Sequence, residues 1–468
     1  MSRGIGCFLA LALLLAGEAR ADAVQATYAL VAQNPRSGDT VLLVRAIVEG
    51  AGAHCPEMSV NGAVVTARVR FNPDAGRFPV TVCELVASLD AMVTVAGEAV
   101  PTLAGYDGGT LRVVAFGDTG CNPEQDCASE WPFAALAADA AAQHPDLVIH
   151  LGDYDYRGTP SRRSKDAPRV YDGCVPGEGE AYISLADLTN WQNWQDDFFA
   201  PAAPLLHVAP WVAVRGNHEL CSRGGDGWFY FLDPHSTLLD PLRGEPRCDA
   251  PVVTTPPYSI SVGGLDLVVL DSSDGCQIDS WQDAEAFDYQ VRVLAPDMAE
   301  AGVLAQEGGG PVWLLSHRPL WSAFVGKPGE AMSDGSEVWQ RALDAALGGS
   351  LPEGVAMLLS GHAHEAQALV FDGPRPPQLI IGNGGTKLDN NEVALPVSAR
   401  FDGLAGSGWV VSPPSTPAAH GYLAAEVEDA LYWQGTVTSH AGAQAAPLLL
   451  MTCQLPVRDG GLCVPPTP

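Results

Sequence analysis

From Leu111 onward the hydrophobic positions fall in short, nearly unbroken runs: Leu111–Phe116, Leu147–Leu151, Trp211–Val214, Leu265–Leu270, Val312–Leu315, Ala356–Leu359 and Leu379–Ile381. Runs of this length without polar alternation suit strands buried on both faces. Ala-rich or amphipathic stretches lie between several of them, at Pro132–Gln143, Trp281–Leu294 and Glu337–Leu347. They carry helical spacing. Strand–helix alternation predicts an α/β domain. Tyr422–Val427 and Leu448–Met451 are again strand-like and are expected to complete one of its sheets.

Residues 24–100 follow a different pattern. They are rich in Val, Thr and Ala, with little helical periodicity. Val41–Val48, Val64–Phe71 and Phe78–Val86 are expected strands, divided by turn clusters such as Asn72-Pro73-Asp74-Ala75-Gly76. This predicts a small all-β, sandwich-like module without a motif of its own, joined through the Gly105–Gly109 linker. The expected division is residues 22–106 for the β-module and 107–468 for the main domain, whose Pro-rich end at 464–468 reads as a loose tail.

Residues 1–21 have the grammar of a cleavable export signal. Arg3 supplies the positive start, Phe8–Ala16 the apolar stretch, and Ala19-Arg20-Ala21 a small-x-small cleavage site. The apolar stretch is too short to span a bilayer. A secreted or periplasmic location is expected, without stable membrane insertion. Of the 11 cysteines, Cys7 lies in this leader, leaving an even number beyond it. Export plus an even count predicts disulfides. Connectivity stays open. The short-range candidates are Cys55–Cys83, Cys121–Cys127, Cys221–Cys248 and Cys453–Cys463, leaving Cys174 and Cys276.

The net charge of −30 argues against nucleic acid or an anionic membrane as partner. It also repels a phosphate at long range, so a phosphate-binding site would need local positive charge. Oligomeric state is not legible.

Candidate chemistry sits at the ends of the apolar runs, where open α/β sheets place their sites. The segments are Gly117-Asp118-Thr119-Gly120, Gly152-Asp153-Tyr154-Asp155-Tyr156, Gly216-Asn217-His218-Glu219, Ser316-His317 and Gly361-His362-Ala363-His364. Singly each is weak, since a Gly-Asp pair after a strand is often only a turn. Together they offer Asp118, Asp153, Tyr156, Asn217, His317, His362 and His364 as ligands, with His218 to spare. That is enough for two metal ions sharing one carboxylate, an arrangement suited to phosphate-ester hydrolysis.

These motifs (GDTG, GDYDY, GNHE, LLSH and GHAH) resemble the five signatures of the calcineurin-like metallophosphoesterases and, more narrowly, of the bacterial purple acid phosphatases. Only the fourth departs, with Leu314 where the family usually has Val. The resemblance covers about residues 111–440. It implies a two-sheet β-sandwich flanked by helices. It implies Fe(III) on Asp118, Tyr156 and His364, a divalent Fe, Zn or Mn on Asn217, His317 and His362, and Asp153 bridging them. A hard phenolate and carboxylates suit a trivalent ion, and imidazole with an amide oxygen suits a divalent one. Tyr156 discriminates the narrow family; its alternative is an aromatic residue packed near the site. Metal-bound hydroxide would attack phosphorus. His218, oriented by Glu219, would protonate the leaving group or serve as an orienting residue. Arg157, Arg223 and Arg318 are candidate phosphate ligands, with ion pairing as the alternative for each. Asn383, in the Gly382–Gly385 loop, is a candidate pocket residue. The expected function is a secreted phosphomonoesterase. A phosphodiesterase or nucleotide hydrolase on the same core is the alternative, and a non-catalytic binding protein is a further one that would call for a lost ligand.

Overall fold

The apolar runs become strands whose two faces enter different cores. In Leu147–His150, Leu147 and Ile149 enter one apolar cluster and Val148 another. In Leu265–Leu270, Leu267 and Val269 join the first of these clusters, while Val268 and Leu270 enter a third. The shared cluster is the interior of a two-sheet sandwich, and the other two lie beneath helices on its outer faces. This is why the runs show no polar alternation: each strand is covered on both sides.

The computed structural model describes residues 23–71, 75–157, 189–221, 223–242, 248, 254–275, 284–327, 330–389, 395–411, 420–439, 448–458 and 461–466. The expected signal segment 1–21, Cys174, Cys276 and the last two residues of the tail lie outside these.

The first sheet has 11 strands in the order Gly461–Val464, Leu448–Arg458, Trp433–Ser439, Gly421–Val427, Leu111–Phe116, Leu147–His150, Trp211–Ala213, Val24–Gln33, Thr40–Glu49, Val80–Ala87 and Arg68–Phe71. The second has eight: Tyr258–Val262, Leu265–Leu270, Val312–Ser316, Val355–Ser360, Gln378–Ile381, Ala366–Phe371, Leu404–Val411 and Leu395–Phe401. Helices Phe133–Ala142, Ala200–Leu206 and Gly225–Phe231 cover the first sheet, and Ala284–Glu307 and Glu337–Leu347 cover the second. The fold is the expected α/β, two-sheet sandwich flanked by helices.

The N-terminal segment is all-β, as expected, and its long strands extend the first sheet. Val24–Gln33 pairs in parallel with the Trp211 strand at Leu30 and antiparallel with Thr40–Glu49. The short strands Met58–Val60, Ala63–Val65, Val93–Val95 and Glu98–Val100 form a separate four-stranded sheet. The expected Val64–Phe71 strand is split between Ala63–Val65 and Arg68–Phe71. The helix expected at Trp281–Leu294 continues to Glu307, through Pro296.

Four two-residue hairpins share one backbone solution. Asn61-Gly62, Ala96-Gly97, Gly263-Gly264 and Asp402-Gly403 all have positive φ at both positions. They link directly paired residues, as in Val95↔Glu98. This is the turn geometry whose twist matches that of the flanking strands.

Candidate metal centre

Five parallel strands deliver the candidate residues to one end of the sandwich. Leu111–Phe116, Leu147–His150 and Trp211–Ala213 pair in parallel in the first sheet, and Val312–Ser316 pairs in parallel with Val355–Ser360 in the second. Their carboxyl ends lead into Asp118, Asp153, Asn217, His317 and His362. Parallel alignment brings all five loops to the same edge, so residues some 250 positions apart meet. Asp118, Asp153 and His362 have φ of 59°, 62° and 72°. Non-glycine residues in this left-handed region are uncommon and cluster at functional sites. The loops approach so closely that a Cβ on Gly216 would lie 2.2 Å from Asp153 N, and one on Gly361 2.7 Å from Asp118 Oδ2.

Two overlapping groups of donors result. Asp153, His317 and His362 present ligand atoms within 4.8 Å of one another, and so do Asp118, Asp153 and His364. Asp153 belongs to both. The Tyr156 hydroxyl joins the second group, 2.9 Å from Asp153 Oδ2, 3.1 Å from His364 Nε2 and 3.4 Å from Asp118 Oδ1. Asn217 Oδ1 joins the first, 3.0 Å from His317 Nε2. His317 Nδ1 lies 2.7 Å from the Leu151 carbonyl, an acceptor, so this nitrogen carries the proton. In the neutral ring Nε2 then turns a lone pair toward Asn217 Oδ1 and, at 3.3 Å, Asp153 Oδ1. Three lone pairs converging on one point fit a cation there.

The electrostatics agree. Burial, then the Asp153 charge, raise the Asp118 carboxyl well above its ordinary range. The same two causes, in that order, raise the Tyr156 phenol, with Asp118 adding to them. Burial works the other way on His362, keeping it neutral with help from the Arg318 guanidinium. Burial also opposes ionisation of Asp153, but positive charge beside it, where the His317 and His218 rings stand, outweighs burial and holds the carboxyl well below its ordinary range. Burial thus sets Asp118 and Tyr156 against ionising and His362 against taking a proton, and a metal ion among them would supply the positive charge that lets the oxygens ionise. The residues present therefore fit a pair of metal ions.

Residues 111–366, more than half of the chain, match the sequence profile of the calcineurin-like phosphoesterase family. The chain belongs to that family. Members of this phosphoesterase family act on phosphate esters through a binuclear metal centre, and all seven candidate ligands fall inside the matched region. Among solved structures, a purple acid phosphatase from yellow lupin (Lupinus luteus) seeds matches with a TM-score of 0.46 and 14% identity, over 92% of this chain and 74% of that one. No curated protein matched the sequence.

The remaining candidates of this phosphoesterase separate. The His218 ring stacks on Tyr156, centroids 3.6 Å apart, and the His218 backbone N–H donates to Asp153 Oδ1 at 2.8 Å. Buried Arg318 brings Nη1 to 2.9 Å from His362 Nε2, so it stands at the site. Arg157 is held by Asp197, the ion-pair alternative. The backbone N–H of Arg223 closes a turn onto Leu220, and its side chain is buried. The buried Asn383 accepts the Gly421 N–H through its carbonyl, while the N–H groups of Gly384 and Thr386 donate to Gly117 and Asp118. The Gly-rich loop thus braces the Asp118 loop.

Glu219 does something the sequence did not suggest. Its Oε1 accepts the N–H groups of Tyr154 (2.8 Å) and Asp155 (3.2 Å), and its Oε2 those of Asp153 and Gly216 (3.0 Å each). Burial, then the Asp153 charge, push it up to about 8, and the four N–H groups act against this. A cation held by Asp153 acts in the same direction as those N–H groups. Sequence reading also missed Asp197, Asp271, Ser272 and Asp389. Asp197 accepts the N–H of Tyr156 at 2.9 Å, and Ser272 Oγ accepts that of Arg318 at 2.7 Å. Asp389 Oδ2 accepts the N–H of His364 at 3.0 Å. Asp271 and Ser272 follow the Leu265–Leu270 run as Asp153 follows its own, a signal that was available. Asp197 sits in a helical stretch and had none.

Disulfides join Cys55–Cys83, Cys121–Cys127, Cys221–Cys248 and Cys453–Cys463. Among the described residues no helix is long and apolar enough to cross a membrane.

Proposed function

We propose that this metal-dependent phosphoesterase is an exported phosphomonoesterase of the purple acid phosphatase type. The observation that carries the reading is the double membership of Asp153 in two donor groups, one completed by Tyr156 and the other by Asn217. In this reading Asp118, Tyr156 and His364 hold Fe(III), Asn217, His317 and His362 hold a divalent Fe, Zn or Mn, and Asp153 bridges them. A phenolate among carboxylates favours the harder ion. When bound, the ions neutralise the phosphoryl oxygens and acidify a water.

The chain's own residues do the rest. Arg318 adds a guanidinium beside His362, which supports a doubly charged monoester over a singly charged diester. His218, partly exposed above Tyr156, holds a proton at its ring for the departing alkoxide. The disulfides and signal-like start support export.

The test compares turnover of 4-nitrophenyl phosphate and bis(4-nitrophenyl) phosphate, with elemental analysis and a visible spectrum of the same protein. Two metals per chain including iron, a phenolate-to-iron colour and monoester preference are expected. Diester preference would move the function to the phosphodiesterase alternative. A colourless, iron-free native protein would leave only a generic two-metal phosphoesterase.

A further inference from the structure

The two donor groups draw on both sheets: Asp118, Asp153 and Asn217 come from the first, His317 and His362 from the second. A bridging carboxylate works only if the two halves keep a fixed separation. The residues between them form one buried chain. The Glu219 carboxylate gathers four N–H groups from two loops of the first sheet, including the N–H of Asp153 itself. The Glu219 carbonyl accepts Arg215 Nε at 3.0 Å. Arg215 Nη1 reaches Asp271 Oδ2, 3.2 Å away at the end of a second-sheet strand. Asp271 Oδ2 also accepts the N–H and hydroxyl of Thr255, and its Oδ1 those of Ser273. Next to it, Ser272 Oγ accepts the N–H of Arg318, the residue after His317. Glu219 is fully buried, Arg215 is 1% exposed and Asp271 4%.

We propose that Glu219, Arg215 and Asp271 form a strap that sets the spacing of the two half-sites, and that Glu219 is a positioning residue rather than a proton carrier. The inference rests on the two-metal reading. Four N–H donors need two oxygens with free lone pairs, which only an ionised carboxylate offers at this length. The glutamine amide matches its shape but turns a donor against two of those N–H groups. Asp153, already at positive φ, then loses the hold that keeps it in place.

The test uses full-length oxidised protein loaded with zinc. Wild type is expected to hold two zinc ions. In Glu219→Gln, bound zinc should fall to about one equivalent and kcat at least 100-fold, with KM within about three-fold and both limbs of the pH–rate profile unmoved. Two zinc ions with a lost limb would make Glu219 a proton carrier and overturn the proposal; two zinc ions with near-normal kcat would remove its role. Should Glu219→Gln not fold, Arg215→Lys carries the test, because one ammonium cannot span both the Glu219 carbonyl and Asp271. It should lower zinc occupancy and reduce kcat about 10-fold in a folded protein, and full occupancy with normal kcat overturns the strap. A wild type that binds no zinc and hydrolyses nothing would instead sink the two-metal reading itself.

Discussion

Replacing Arg45 by Met tests whether the N-terminal strands belong to the cooperative fold of the enzyme. Arg45 is fully buried. Its Nε lies 2.7 Å from Glu84 Oε2, Nη1 donates to the Phe231 carbonyl at 2.6 Å, and Nη2 to that of Asp233 at 2.7 Å. Those carbonyls end and follow the Gly225–Phe231 helix, which begins six residues after Glu219. The guanidinium thus fastens strand Thr40–Glu49 to the segment behind the site. Breaking a buried ion pair from one side costs about 3–5 kcal/mol. Here each abandoned partner keeps another contact: Glu84 has Arg70 at 3.3 Å, Phe231 the Tyr28 hydroxyl at 2.7 Å, and Asp233 Arg70 at 3.2 Å. The low end, about 3 kcal/mol, is therefore expected. At roughly 1 kcal/mol per degree for a chain of this size, Tm should drop by about 3 °C. Equilibrium urea unfolding, followed by tryptophan fluorescence and far-UV circular dichroism, should show one earlier transition with both probes. Removing both charges in Arg45→Met with Glu84→Leu should recover much of the loss, because no buried charge is stranded. A single-variant loss below about 1 kcal/mol, or an N-terminal transition separate from the rest, would show that these strands do not belong to the cooperative fold. The pair also sets an acid limit. Burial opposes ionisation of Glu84, but Arg70 and then Arg45 outweigh it and hold the carboxyl below its ordinary range. Its stabilisation is therefore present above the unfolded value of about 4.3 and lost as pH falls below it, through the lower folded value.

Three further outcomes are expected. Asp153→Ala should be the most damaging single ligand change, abolishing hydrolysis and lowering occupancy of both metals, whereas Asn217→Ala should weaken mainly the divalent ion; elemental analysis after dialysis separates them. Tyr156→Phe should leave thermal stability within a few degrees, remove the visible colour and weaken Fe(III) binding; an unchanged spectrum would exclude the phenolate ligand. Ala96→Asn should raise stability by about 0.5–1 kcal/mol, since Ala96 has φ of 51° in a hairpin that favours Asn before Gly97; urea midpoints check it, and a loss would show that the residue is held by something other than turn geometry.

The sequence by itself determined the pieces whose signal is local. Unbroken apolar runs announced the central strands because a strand covered on both faces has no polar side to show. Glycine beside a ligand-type residue at the end of a run announced the loops, because only glycine permits the close approaches found at Gly216 and Gly361. The short-range cysteine candidates, offered without fixed connectivity, are the pairs that form. What tertiary structure decided is long-range. Val24–Gln33 reads as an unremarkable Ala- and Val-rich stretch until it docks against Trp211, some 180 residues away, and carries the first sheet into the N-terminal strands. Arg157 and Arg318 are alike in sequence, each within one residue of a proposed ligand. Asp197 withdraws the first into an ion pair, while burial aims the second at His362. Glu219 follows His218 in sequence and was expected to orient it. Folding turns its carboxylate inward onto four backbone N–H groups, which burial obliges to find a partner.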